Sequence, residues 1–144
     1  MSNRLTELCR QLKLGHFEAL VDQVEYTDRR QYMTDLLELV LKERESSRAK
    51  NLIKKAGFPS PRTLEGFDFS PVTFPTESTR DYILSLDFVS AKENVLMLGA
   101  VGTGKTHLAT ALGIKACLSG KKVAFYRTAN LTNELVERHE RGQL

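Results

Sequence analysis

Eight consecutive residues, Gly99-Ala100-Val101-Gly102-Thr103-Gly104-Lys105-Thr106, meet the pattern G-x-x-x-x-G-K-[ST] residue for residue. The chemistry open to such a run is the holding of phosphate. Glycines let the backbone curl so that successive amides point at one anion. Lys105 supplies a cation for β- and γ-phosphates, and the Thr106 hydroxyl is placed to coordinate Mg²⁺. A helix beginning near Lys105 adds the positive end of its dipole. The expected cofactors are therefore ATP and Mg²⁺, held by residues 99–106 with His107 beside them. A plain glycine-rich strand-to-helix turn is the competing reading; the context, an apolar run before and a helical pattern after, favours phosphate.

Binding phosphate is not hydrolysing it. A P-loop ATPase also needs an acidic residue on a later strand to hold Mg²⁺ and orient water. Asp81, Asp87 and Glu93 precede the loop, and the stretch Glu137-Arg138-His139-Glu140-Arg141-Gly142-Gln143-Leu144 is hydrophilic and helical in pattern. No catalytic residue is assigned.

The elements that must position the loop follow from periodicity. Asn94-Val95-Leu96-Met97-Leu98 is an apolar run of strand length, and Lys121 to Tyr126 is a second strand candidate. Between them Thr106 to Leu118 reads as a helix ended by Ser119-Gly120. That order is a βαβ unit and predicts a parallel sheet with a right-handed crossover. Thr128 or Asn130 is placed to cap a last helix running through Arg138. Residues 77–90, with Tyr82, Ile83, Leu86 and Val89, read as one helix.

Upstream, Leu5, Leu8 and Leu12, then Phe17, Leu20, Val21 and Val24, mark two short helices broken near Gly15. Residues 27–56 read as one long helix, capped by Thr27 or Asp28 and stopped by Gly57 and Pro59. Met33, Leu36, Leu37, Val40 and Leu41 are expected on its buried face, resumed by Leu52, Ile53 and Ala56. From Pro59 to Pro75 four prolines suggest an ordered connector, with a domain boundary near residues 60–65. The expected domains are 1–62, small and all-α, and 63–144, α/β.

Composition excludes several classes. In 144 residues no apolar run reaches the roughly 20 needed to cross a bilayer, and Met1 to Glu7 is too polar for a signal peptide, so a cytoplasmic protein with no membrane partner is expected. Cys9 and Cys117 stand apart in apolar patterns and read as buried hydrophobes. A net charge of +3 is too weak to imply nucleic acid globally. Its distribution is uneven, however: Lys42, Arg44, Arg48, Lys50, Lys54 and Lys55 crowd one helix end against Glu43 and Glu45. They form either a solvated face or a DNA-backbone contact. His16 and His139 read as surface residues. Phe67 and Phe69 suit either core packing or a position near an adenine.

Leu96-Met97-Leu98-Gly99 and Gly104-Lys105-Thr106-His107-Leu108-Ala109, with Leu64-Glu65-Gly66-Phe67-Asp68-Phe69 upstream, resemble the IstB-type ATPases, AAA+ helpers of insertion-sequence transposases related to DnaC-type helicase loaders. Leu12 to Leu20 is similar to that family's opening helix, and Lys42-Glu43-Arg44-Glu45 through Lys54-Lys55 to its basic helix. The resemblance implies an AAA+ parallel sheet, ATP-dependent self-assembly into a homo-oligomer, double-stranded DNA binding and recruitment of a transposase. It also assigns His107, within the Gly-Lys-Thr-His run, a supporting role. Members of the family continue into further strands and a helical lid that are not assignable here, so the sequence reads as an N-terminal fragment with an incomplete sheet. A DnaC-like helicase loader, a remnant without independent function and, more distantly, a small-molecule kinase are the alternatives.

Overall fold

The computed structural model describes residues 2–25 and 28–143. Among them seven helices form: α1 (Ser2–Gln11), α2 (Phe17–Val21), α3 (Arg29–Ala56), α4 (Glu77–Ser85), α5 (Asp87–Ser90), α6 (Lys105–Leu118) and α7 (Thr128–Glu140). Contacts divide the chain into two units, Met1–Ala49 and Lys50–Leu144.

In the first unit, α1 stops before Gly15. Lys13 takes the left-handed conformation (φ 56°), its amide donating to the Arg10 carbonyl at 3.1 Å while Leu14 donates to Cys9 at 2.7 Å. These are the paired bonds of a Schellman stop, made here without glycine. The Asp28 carboxylate opens α3 by accepting from the amides of Arg30 (2.8 Å) and Gln31 (3.1 Å); Thr27 lies outside the described residues. Leu20, Leu36 and Val40 form the core, with Phe17, Val21 and Tyr32 around them. The expected burial of Met33, Leu37 and Leu41 does not occur: they stay 47%, 48% and 57% exposed. Each follows a covered position by one residue, and one step turns a helix by about 100°. The covered stripe here runs through Tyr32, Leu36 and Val40, with Leu39 beside it.

The second unit is built on α6. Half of its fourteen residues are buried, Leu108, Thr110, Ala111, Leu112, Ile114, Ala116 and Cys117, which is the signature of a helix enclosed on all sides. Leu64, Phe67, Phe69, Ile83, Met97 and Val123 pack around Leu86, Leu108, Leu112 and Ala116. Gly120 (φ 78°) ends the helix, with Gly120 donating to Cys117 and Lys121 to Ala116, both at 2.9 Å. Ala56, the last residue of α3, is buried as well. Leu52 and Ile53, expected to resume the buried face with it, are half-buried.

The expected parallel sheet is corrected by the structure: no strand forms among the described residues. Asn94–Leu98 and Lys121–Tyr126 do show the two-residue alternation of extended chain. Val95 and Met97 are half-buried between exposed neighbours, as are Val123 and Phe125. Each segment covers α6 with one face and leaves the other open, Leu96 and Leu98 being 83% and 85% exposed. A strand, however, exists only as a ladder with a neighbour. These two segments do not bond to each other, and the Phe125 amide donates instead to the Ala56 carbonyl at 2.7 Å. Apolar patterning records a preference for a sheet and does not supply the partner.

Two smaller expectations are also corrected. The helix over 77–90 is interrupted at Leu86, buried and left-handed (φ 71°), which separates α4 from α5. Arg127, not Thr128 or Asn130, stands at the cap position of α7 and makes no side-chain cap bond. Thr76 does cap α4, its hydroxyl accepting from the Thr79 amide at 3.0 Å.

The covered stripe of α3 is testable by a neighbouring pair. Leu36→Ala should lower stability by about 2–5 kcal/mol, whereas Leu37→Ala should cost less than about 1 kcal/mol. Urea unfolding followed by circular dichroism measures both, and equal losses would contradict the assignment.

Candidate functional site

The loop connects the extended segment 94–98 to α6. Gly104 stands at the N-cap of α6 in the left-handed conformation (φ 84°) and offers no side-chain cap, so the first amides of the helix stay open to an outside anion. Room is short as well: a Cβ on Gly104 would lie 3.3 Å from Cε2 of Phe67, and one on Gly99 (φ 155°) 3.0 Å from Oγ1 of Thr103.

Lys105 is folded back over the loop. Its Nζ donates to the carbonyls of Gly99 (2.8 Å) and Ala100 (2.6 Å). The Thr103 hydroxyl donates to the same Ala100 carbonyl at 2.9 Å. Residues 99–103 and Thr106 are exposed, with Val101 wholly so at the tip. No described group bonds the Thr106 hydroxyl, which leaves it available to a hard cation such as Mg²⁺. Among the described residues no cluster of three His, Cys, Asp or Glu could hold a metal on its own. A metal here would have to share its ligands with a phosphate, as Mg²⁺ commonly does.

His107 points away from the loop. Its Nε2 lies 3.0 Å from the Thr63 carbonyl, and its ring stands edge-on to Phe67 with centroids 4.9 Å apart. Phe67 also packs edge-on against Phe69 (4.7 Å), and the Arg80 guanidinium lies 5.1 Å from the Phe69 ring centroid. Between these aromatics, Asp68 accepts from the Ser70 amide at 2.9 Å, and hydrogen bonding from Ser70 holds its carboxyl below the ordinary range. A cavity of about 310 Å³ opens beside the loop, lined by Phe67, Pro71 to Pro75, Val95 to Gly99 and Thr103 to Lys105. It is mostly apolar, with the lysine at its edge, and suits a flat ring attached to an anion.

The structure thus brings residues 99–106 together in one contiguous site and turns His107 towards the connector. Phe67 and Phe69, which suit either role in sequence, both pack against the core around α6, and Phe67 also lines the cavity. Sequence reasoning missed the Thr63 carbonyl, because a backbone acceptor leaves no mark in residue type. The six basic candidates lie on α3, all exposed. Lys42, Arg44 and Arg48 belong to the first unit, Lys50, Lys54 and Lys55 to the second. Arg44 is partly committed, donating from Nη2 to the Lys13 carbonyl at 3.0 Å. No helix among the described residues is long and apolar enough to cross a membrane.

Comparison with known proteins agrees with this geometry. A family model described as "IstB-like ATP binding protein" matches residues 7–144. A Geobacillus stearothermophilus protein named as an ATP-binding protein of insertion sequence IS5376 is 32% identical over 153 aligned residues, covering 100% of this chain and 60% of its own length. A Pseudomonas aeruginosa protein named likewise for IS21 is 34% identical over 134 residues, 90% of this chain and 49% of its own length. A Bacillus thuringiensis protein named for IS232 is 33% identical over 93 residues. The chain thus spans between half and three-fifths of the length of the first two.

The strain at Gly104 gives a direct test. Gly104→Ala should destabilise the second unit by about 1–2 kcal/mol, the cost of a left-handed L-residue, with any displacement of Phe67 added to that. Gly15→Ala, with nothing within 4 Å and no left-handed φ, should change stability by less than about 0.5 kcal/mol. Thermal melts of the two variants make the comparison.

Proposed function

Since the chain belongs to the IstB-like ATP binding protein family, we propose that it binds ATP with Mg²⁺ on residues 99–106 and acts, with double-stranded DNA and a transposase, in the transposition of an insertion sequence. The observation that carries the nucleotide part is the loop itself. Gly104 leaves the first amides of α6 uncapped, and the Lys105 ammonium sits directly over the curl. Phosphate oxygens would take the amides and the ammonium, and the Thr106 hydroxyl would join the coordination of Mg²⁺. Mg²⁺ held there would neutralise phosphate charge. The apolar cavity next to Lys105 would receive the base. The proposal stops at binding, because the residues lining that cavity include no carboxylate among the described residues.

The DNA part is supported by the six exposed lysines and arginines of α3 and by the insertion-sequence names of the relatives. Contacts of this kind go to phosphates and carry no sequence preference. A homo-oligomer on DNA, and recruitment of the transposase encoded by the same element, complete the proposal. The alternative partner, a replicative helicase, draws no support from those names.

A fluorescent ATP analogue with Mg²⁺ tests the first part. Saturable binding is expected, weakened at least about tenfold in Lys105→Ala through loss of a charge-assisted contact. Absence of binding in the parent chain would end the ATP reading. For DNA, affinity should fall with salt, and the double variant Arg48→Ala/Lys50→Ala should flatten the log–log slope by about 2, close to one unit per phosphate contact. A slope that does not change would remove these residues from the interface.

A further inference from the structure

Outside the phosphate loop, the connector is fastened to the start of α6 at two points one turn apart. Phe67 bears on Gly104, where an added Cβ would meet its ring at 3.3 Å. Three residues on, His107 Nε2 lies 3.0 Å from the Thr63 carbonyl. A carbonyl only accepts, so this nitrogen carries the proton and donates. The same ring stands perpendicular to Phe67, at 90° and 4.9 Å between centroids. A single imidazole therefore anchors the connector at Thr63 by a directed bond and supports it at Phe67 by edge packing. Neither contact involves the carbonyls of Gly99 and Ala100 that Lys105 holds.

We propose that His107 is a positioning residue for nucleotide binding. By donating to Thr63 it keeps the connector against α6, so that Phe67 stays seated on Gly104 and the first amides of α6 stay aimed at the phosphate position. The inference rests on the reading of residues 99–106 as an ATP site and deepens it. It also separates His107 from the phosphate ligands, since its donating nitrogen is committed to the connector. The residue type fits the task. A phenyl ring could pack on Phe67 but could not donate, and a glutamine could donate from the place of Nε2 but would pack less well.

Two readouts on the full chain test it. Without nucleotide, backbone hydrogen exchange at residues 64–69 should accelerate about fivefold or more in His107→Ala and in His107→Phe, with His107→Gln restoring most of the protection. With Mg²⁺ and a fluorescent ATP analogue, His107→Ala should weaken binding about five- to tenfold, and His107→Gln should lie closer to the parent. The proposal is overturned if His107→Ala exchanges and binds like the parent, or if glutamine is as damaging as alanine. It is also overturned if affinity falls with no change in connector exchange, which would make His107 a direct ligand. A parent chain that binds no analogue would instead sink the ATP reading. The exchange data would then decide the fastening alone, with equal rates in parent and His107→Ala overturning it.

Discussion

The second unit depends on the enclosure of one helix. The seven buried residues of α6 are distributed around its axis, and a helix of that kind is stable in water only when other elements cover most of it. Its leucines, Leu108 and Leu112, each contribute on the order of 2 kcal/mol by burial. The cover comes in strips: the connector with Phe67 and Phe69, α4 and α5 with Ile83, Leu86 and Phe88, and the extended segments with Met97 and Val123. The phosphate loop needs a fixed platform, because amides aimed at an anion are useful only if the helix that carries them does not move. Packing around Leu108 and Leu112 supplies that platform directly below Gly104.

Legibility in the sequence followed how local each feature is. The place of the loop at the start of α6 was readable because it is written in contiguous residue types, from Gly99 to Thr106. The Asp28 cap and the Gly120 stop were readable for the same reason, since the bonds that define them lie within a few residues. Features that need a distant partner were not. The run Asn94–Leu98 states that it would suit a sheet, but nothing in it states whether a neighbouring strand is present. The left-handed turn at Leu86 has no sequence mark at all, because leucine is an unusual residue there and burial in the core holds it. On α3 the sequence presents two adjacent apolar stripes, through Leu36 and through Leu37, and which one is covered is decided by α2.

The chain belongs to the IstB-like family and carries both a basic helix and a glycine-rich loop. The two lie in elements built on different rules. The basic residues ride on exposed positions spread around α3, where almost any long helix could carry them, and one of them, Arg44, also ties down the Lys13 carbonyl. The loop tolerates little exchange, since Gly104 is confined by both its φ and the ring of Phe67. Substitution should therefore be accommodated more easily at the exposed positions of α3 than at Gly104.

The bonds from Lys105 to Gly99 and Ala100 make ligand capture an exchange reaction. Two charge-assisted bonds inside the loop would be surrendered before the ammonium could turn to a phosphate, so the number of hydrogen bonds changes little and the net gain comes from bringing opposite charges together. A neutral molecule that entered the neighbouring cavity could not draw the lysine off two carbonyl dipoles, whereas a polyphosphate with several negative charges could. On the proposed ATP reading, the loop in this form would discriminate by charge density before it discriminated by shape.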